Sequence, residues 1–181
     1  MALPALKQPA YSGTQGPASS VRGPSVPTIF GVQKMLRDLL GVDVQAKPTQ
    51  RLLDAASASS CIYTRTDGVM GAGALCDLSF IVTVGAALSM IPGGVAAEAL
   101  RAGRPTDTIE ENWAEVMNIC SSLWNALHAA HVTLGEHFIP PRKPPPDFAL
   151  AVRQSKTRID MELAVPGYPT GRLSLLTFNL Y

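Results

Sequence analysis

DTIEENWAEVMNICSSLWNALHAA, residues 107–130, is the most strongly patterned stretch of the chain. Its apolar residues recur at spacings of three and four, the period of one helix face. A capping box between Asp107 and Glu110, or between Thr108 and Glu111, suits the start of a helix. The pattern predicts one long helix with a buried apolar face. That face consists of Ile109, Trp113, Val116, Met117, Cys120, Trp124 and Leu127.

The opposite face of this predicted helix is polar. It consists of Glu111, Glu115, Asn118, Ser122 and Asn125, again separated by three or four positions. Glu115 and Asn118 therefore lie one turn apart with their side chains pointing outward. A polar face by itself is typical of any solvated helix, so these residues form a candidate site only with support from elsewhere in the sequence.

The sequence before this helix predicts a helix, a hairpin and a broken helical unit. Ser25 and Pro27 suit a helix start, and Gly41 ends the helix that follows. Asp67-Gly68 lies between two strand-like runs and is a strong hairpin signal. The predicted segments are strands at residues 42–46, 59–65 and 69–77, a helix from about Thr83, and a second helical piece over residues 95–102 after Pro92-Gly93-Gly94.

Two further strands are predicted after the long helix. Four apolar residues from Ile159 to Val165 alternate with mostly polar residues, which is the period of a half-buried strand. A turn over residues 166–171 leads to a second strand over residues 172–180. Helix, strands, helices and strands in this order predict an α+β fold whose antiparallel sheet carries helices packed on one face.

The composition indicates one globular domain behind a short leader. The chain has 181 residues, of which 46% are apolar, and this suffices for a core. Residues 1–24 are rich in Pro, Gly, Ser and Ala and are predicted to be a flexible leader. Residues 25–181 are predicted to form the domain.

The charge and cysteine content indicate which classes of partner and which cellular compartment to expect. With 15 basic and 14 acidic residues, the chain gives no electrostatic reason to expect a nucleic-acid or membrane-surface partner. Cys61, Cys76 and Cys120 form no CxxC pair and are predicted to be reduced, buried thiols. The most apolar run, residues 78–91, is shorter than the about 20 residues of a membrane helix. These features together predict a cytoplasmic protein.

A histidine-rich group and a proline-rich run follow the long helix, and each allows more than one interpretation. His128 and His131 are three residues apart, and Glu136 and His137 follow them. As a metal site this arrangement lacks a clear fourth ligand, and we expect no metal site. Residues 140–146, PPRKPPP, could form a polyproline ligand, but we predict that they are a stiff connection between the long helix and the last hairpin.

The Glu115-Val116-Met117-Asn118 step resembles the E-x-x-N motif of the CheC/CheX/FliY family of chemotaxis phosphatases. In that family a leading Asp or Ser precedes the Glu and a Pro follows the Asn. Glu111 and Pro141 (or Pro140) stand at the matching positions here. The order of predicted elements is also similar over residues 25–181. The first predicted helix lacks a second E-x-x-N, so the resemblance is closest to CheX-like members.

The resemblance implies a phosphatase that removes the aspartyl phosphate of a CheY-like response regulator. Asn118 would orient the attacking water, and Glu115 would pair with the regulator's active-site lysine. Glu111, Ser122 and Asn125 would extend the contact with the regulator. The regulator would supply the Mg²⁺ ion, and this chain would bind no cofactor of its own.

Two departures from the family pattern leave a second hypothesis open. Glu111 stands where the family has Asp or Ser, and the residues after Asn118 lack a glycine that CheX-type members often carry. The second hypothesis is a catalytically silent CheX-like module that only binds a response regulator or another signalling or flagellar partner. Analogy with CheX adds homodimerisation as an expectation.

Overall fold

The computed structural model describes residues 26–126 and 131–178. The predicted leader, residues 1–24, and the last part of the predicted long helix, residues 127–130, lie outside these ranges. Within them the chain forms five helices and six strands. In chain order these are α1 Ile29–Leu40, β1 Gln45–Pro48, β2 Ser59–Arg65, β3 Met70–Cys76, α2 Leu78–Leu88, α3 Gly93–Arg101, α4 Asp107–Asn125, β4 Val132–Phe138, α5 Pro146–Gln154, β5 Thr157–Ala164 and β6 Gly171–Thr177.

The strands of the described chain form one sheet in the order β1-β5-β6-β3-β2-β4, and every neighbouring pair is antiparallel. The hairpin predicted around Asp67-Gly68 joins β2 to β3. Gly68 has a φ of 78°, which is favourable for glycine and strained for other residues. The predicted α+β fold with an antiparallel sheet is therefore confirmed. β4 and β1 are the two edge strands.

Helices α1 to α4 pack on one face of the sheet and enclose the main core. α4 contributes the predicted apolar face, and all of its members within the described residues are buried. Leu127 lies outside those residues. α2 is buried on nearly all sides because it contacts α3, α4 and β6. Among the described helices, none combines the length and apolarity needed to cross a membrane.

The other face of the sheet carries a smaller core under α5, a helix that the sequence analysis did not predict. Phe148 and Val152 of α5 pack with Leu75, Leu176 and Phe178 of the sheet region. Pro146 is the first residue of α5, where its fixed φ suits the first turn of a helix. The proline-rich run is therefore partly a helix start, and the predicted stiff connection is shorter than expected.

The caps of α1 and α4 differ from the predicted ones. Thr28 caps α1, since its hydroxyl accepts a hydrogen bond from Gly31 N at 3.0 Å; Ser25, the predicted cap, lies outside the described residues. Thr106 caps α4 and accepts from Ile109 N at 3.4 Å, which replaces both predicted capping boxes. In each case the structure uses a threonine that stands directly before the first helical residue.

The start of α2 is also different from the prediction. The helix begins at Leu78 rather than near Thr83, because the Asp77 carboxylate accepts from Phe80 N at 2.8 Å and caps the chain there. The same carboxylate accepts from Arg172 Nε at 2.9 Å and so links α2 to the start of β6. An apolar run directly after a strand hid this boundary in the sequence.

The first strand starts three residues later than predicted, at Gln45 instead of Val42. The reason lies in Arg37 of α1, whose Nε donates to Val44 O at 3.0 Å and whose guanidinium also pairs with Asp43. These bonds hold the segment after α1 against the helix, and the chain joins the sheet only beyond them.

Helices α2 and α4 approach each other closely at Gly85. A Cβ atom built on Gly85 would lie 2.2 Å from Ile109 O, in the backbone of α4. Asn112 of α4 also donates to Gly85 O at 2.8 Å and to Ser89 Oγ at 2.9 Å. Only a residue without a side chain fits at this crossing, and the position of α4 depends on it.

We expect Gly85→Ala to lower the free energy of unfolding by about 1–3 kcal/mol, because the added methyl group forces α2 and α4 apart. Gly94→Ala is the matched control, since a Cβ there meets nothing within 4 Å. Urea denaturation of both variants checks the expectation. Equal stabilities would show that the helices can separate at no cost.

The three cysteines are buried and free, as predicted. Burial raises the pKa of the Cys61 and Cys76 thiols well above the usual value, and raises the pKa of Cys120 to about 12. Burial and the nearby cysteines raise the pKa of Tyr63 in the same core. These side chains are therefore neutral in the folded protein at physiological pH.

The free energy of unfolding should fall as pH rises above the ordinary thiol pKa of 9.0. Between that value and about 12, the unfolded chain gives up the Cys120 proton while the folded chain keeps it, and this favours unfolding. Urea unfolding measured from neutral to alkaline pH tests this. Cys120→Ala should lose stability with pH less steeply than the parent chain, and parallel pH profiles would refute the assignment.

Candidate functional site

The predicted polar residues form a ridge along the outside of α4. Glu111, Glu115, Asn118 and Ser122 are exposed there, and we call these four residues the α4 ridge. Within the described residues, the side chains of Glu115 and Asn118 form no hydrogen bond or ion pair. Both groups are therefore available to a partner.

The orientation of the ridge is fixed from the buried side of the helix. Tyr63 of β2 is fully buried, and its hydroxyl donates to Met117 O at 2.8 Å. The Tyr63 ring also packs on Trp124, with ring centroids 4.7 Å apart. Since Met117 directly precedes Asn118, the bond holds α4 at the turn that carries the E-x-x-N step. This contact keeps Asn118 facing outward.

A groove of about 600 Å³ runs beside the ridge, between α4 and the edge strand β4. Ala114 and Leu134, both half-buried, form its apolar part. Carboxylates of α4 dominate the polar part. The lining residues are Asp107, Glu110, Glu111, Ala114, Glu115, Asn118, Leu134 and His137, and we call this feature the acidic groove.

A β-bulge in β4 produces the far wall of the acidic groove. Leu134 pairs with Tyr63, and His137 pairs with Cys61, with a register shift between the two pairs. In a regular strand, residues three apart point to opposite faces. The extra residue of the bulge instead places Leu134 and His137 on the same face, toward α4.

Asn125 joins the end of α4 to the start of β4. Its Nδ2 donates to Val132 O and its Oδ1 accepts from Val132 N, both at 2.9 Å. The Asn125 side chain is half-buried, and both of its polar atoms are hydrogen-bonded to the Val132 backbone. It therefore differs from the four exposed ridge residues, and the expected contact of Asn125 with a partner stays a prediction.

His137 closes one side of the acidic groove. Its Nε2 lies 3.9 Å from Glu110 Oε1, and its ring meets Trp113 edge-on at a centroid distance of 5.4 Å. His128 of the predicted histidine group lies outside the described residues. Over residues 26–126 and 131–178, no group of three or more His, Cys, Asp or Glu side chains is placed to hold a metal ion.

The α4 ridge is predictable from the sequence, whereas the acidic groove is not. Helical spacing gave the ridge directly, because its members share one period. Leu134 and His137 are three residues apart in a strand whose alternation is broken by the bulge, so no sequence period links them. Asn125 could have been recognised only as a polar residue near the end of a helix.

Comparison with known proteins finds likeness in structure alone. No protein-family model matches the chain, and no curated protein matches its sequence. The FliM middle domain of Vibrio alginolyticus matches with a TM-score of 0.50 at 10% identity, over 81% of this chain and 85% of that one. FliY of Thermotoga maritima matches with a TM-score of 0.47 at 14% identity, over 82% of each chain.

A third match is the structure of a CheX–CheY–BeF₃–Mg²⁺ complex from Borrelia burgdorferi. Its TM-score is 0.42 at 14% identity, over 82% of this chain and 93% of that one. The predicted resemblance is thus confirmed at the level of the fold. At these identities the matches carry no information about individual site residues.

We expect Asn125→Ala to reduce the free energy of unfolding by about 1–3 kcal/mol, because both backbone groups of Val132 lose their partner. Ser122→Ala is the control, since Ser122 is exposed and its hydroxyl bonds only to Ile119 O within the described chain. Thermal unfolding and hydrogen exchange at the Val132 amide provide the measurements. Unchanged exchange at Val132 would mean that Asn125 does not hold β4.

Proposed function

Because this chain has the fold of the CheX, FliY and FliM middle-domain structures, we propose that it is a cytoplasmic signalling protein that removes the phosphoryl group of a response regulator. The observation that carries the proposal is the placement of Glu115 and Asn118. They lie one turn apart on an exposed ridge, beside an open groove, on a helix whose other side is fixed in the core.

The substrate in this proposal is an aspartyl phosphate with Mg²⁺ already bound by the regulator. An acyl phosphate hydrolyses without a nucleophile from a second protein, so the remaining task is to place a water in line with the leaving oxygen. The Asn118 amide suits this task, because it can both donate to and accept from a water and does not titrate.

Glu115 serves docking in the same scheme. A carboxylate at this place pairs with the active-site lysine of the regulator, and the pair strengthens when docking excludes water. Glu111 and Ser122 extend the contact along the ridge in both directions. The regulator supplies the metal, so this chain needs no metal site of its own.

The serines after the motif support the structure rather than the chemistry. Ser121 Oγ donates to Asn118 O and Ser122 Oγ donates to Ile119 O, each at 2.7 Å. Each hydroxyl proton is thereby used on the helix backbone, and neither serine has a neighbouring base within the described residues. The proposed reaction assigns no covalent role to them.

The second candidate is a module that binds the regulator or a flagellar partner without turnover. Two observations favour it. Glu111 replaces the Asp or Ser of the family motif, and the FliM middle domain is the match with a TM-score of 0.50. In this case the same ridge would bind the partner, and Asn118 would contribute contact alone.

Asn118→Ala should lower the rate of phosphate release roughly 100-fold, because the attacking water loses its positioning group, while the affinity for the regulator stays nearly constant. The substrates are the response regulators of the same genome, each phosphorylated and loaded with Mg²⁺. Gln154→Ala is the control, since it removes an exposed amide from α5, on the other face of the sheet.

Each outcome separates the two candidates. Release that is accelerated by the parent chain and by Gln154→Ala, but not by Asn118→Ala, supports the phosphatase. Binding of a regulator without acceleration by any of the three proteins supports the silent module. Binding that survives Glu115→Ala together with Asn118→Ala would rule out the α4 ridge as the docking surface for both.

A further inference from the structure

Glu111, Glu115 and Asn118 line one side of the acidic groove, but the remainder of its lining has no role in the chemistry described above. We propose that it binds an extended basic segment of the protein partner, one that carries Lys or Arg side chains next to apolar ones. This inference deepens the proposed function and rests on it in one respect, which is that the partner arrives on α4.

Charge is unevenly distributed between the groove and the remainder of the chain. The groove lining takes four of the chain's 14 acidic residues, which leaves ten acidic against 15 basic residues elsewhere. The lining contains no Lys or Arg, and His137 is its one basic side chain. A protein of nearly neutral charge thus presents a strongly negative cleft, which attracts a basic partner.

The carboxylates of the groove repel one another when no partner is bound. Asp107 and Glu111 are four residues apart on α4, as are Glu111 and Glu115, and like charges at this spacing repel each other. The positive end of the helix offsets this only in the first turn, which holds Asp107 and Glu110. Of these carboxylates, only Glu110 lies within 4.0 Å of a basic nitrogen, that of His137, in the described part of the chain. A cationic partner would relieve the repulsion.

The shape of the groove fits side chains better than a single ion. Its volume is about 600 Å³, and its apolar part is formed by Ala114 and Leu134. The alkyl stem of a Lys or Arg can lie along such a surface while the charged head reaches a carboxylate. Asn118 is one of the lining residues, so a segment bound in the groove would lie beside the residue proposed to act on the phosphorylated site of the regulator.

Two other occupants are conceivable, and the test includes them. One is a second copy of this chain. The other is the chain's own residues 1–25, which contain Lys7 and Arg22 and no acidic residue. The partner segment is favoured because the groove adjoins the motif residues that the partner must reach.

The first experiment uses the full chain and a capped hexapeptide, Arg-Leu-Lys-Arg-Leu-Lys, in titrations followed by amide NMR. The peptide should shift the amides of Ala114, Leu134 and His137 and should bind more weakly as salt is added. A peptide with Glu in place of each basic residue should shift none of them. Shifts from the basic peptide at other places alone would overturn the proposal.

The variant Asp107→Asn/Glu110→Gln/Glu111→Gln removes three groove charges and leaves Glu115 and Asn118 in place. It should bind the peptide about tenfold more weakly. Asp38→Asn/Asp43→Asn/Glu162→Gln is the control, since it removes the same charge near β1 and β5, far from β4 in the sheet. If both variants weakened peptide binding equally, the effect would depend only on the net charge of the protein, and the groove assignment would be overturned.

Melting temperatures guard against a folding defect. Glu111→Gln alone should melt higher than the parent chain, because Glu111 lies beyond the first turn and its neutralisation removes the repulsion with both Asp107 and Glu115. The same variant should bind the peptide more weakly, whereas the triple variant also loses the favourable placement of Asp107 and Glu110 at the positive end of the helix. Weaker peptide binding together with a lower melting temperature in both variants would overturn the proposal.

The regulator assay separates this inference from the proposed function. With a phosphorylated regulator, Asp107→Asn/Glu110→Gln, which leaves every residue of the α4 ridge in place, should raise KM several-fold at low salt and leave kcat unchanged. Asn118→Ala should lower kcat and leave KM nearly unchanged. Peptide binding in the groove without any phosphatase activity would refute the proposed function and retain the basic-segment site.

Two results would assign the groove to another occupant and so overturn the proposal. One is a parent chain that sediments as a dimer and a groove variant that sediments as a monomer, with no peptide binding. The other is a full-length Lys7→Ala/Arg22→Ala variant in which the amides of Ala114, Leu134 and His137 shift without any added peptide.

Discussion

Burial of one face of α4 is the constraint on which the remaining structure depends. Two large indoles, Trp113 and Trp124, lie on that face with no exposed surface, and the Tyr63 hydroxyl bonds to the helix backbone between them. The close crossing with α2 at Gly85 adds a second fixed contact. Because the buried face has only one possible orientation, the outer face of α4 is fixed as well. The α4 ridge is therefore a consequence of core packing.

This dependence explains how much the sequence alone could predict. The period of α4 and the Asp67-Gly68 turn depend on local patterns, and the structure confirms both. β4 and α5 escaped prediction for different reasons. A bulge interrupts the alternation of β4, and the prolines before α5 are typical of a connection but also of a helix start. The candidate motif was visible from spacing, whereas the groove needed the tertiary pairing of β4 with β2.

The proposed chemistry and the proposed recognition use different parts of one surface. In the proposed function, Asn118 and Glu115 contact the acyl phosphate region and the active-site lysine of the regulator. The acidic groove addresses a segment that can differ between regulators. A protein with this division can keep its reaction constant while the choice of partner changes through the groove.

The two sides of the groove, α4 and β4, differ in how strongly they are held, because β4 lies at the edge of the sheet. α4 lies in the main core along its whole buried face, whereas β4 has β2 as its one strand neighbour in the described sheet, contributes Val132 to the core and is joined to the end of α4 by Asn125. Edge strands open at lower free energy than central elements. The wall that carries the motif is thus rigid, and the wall that faces it can adapt in width to what enters. Exposed positions of β4, such as Thr133 and Glu136, can change without disturbing the packing that fixes Asn118, whereas Val132 and His137 pack against the core and Trp113. Through the exposed positions the site can change its partner before it changes its fold.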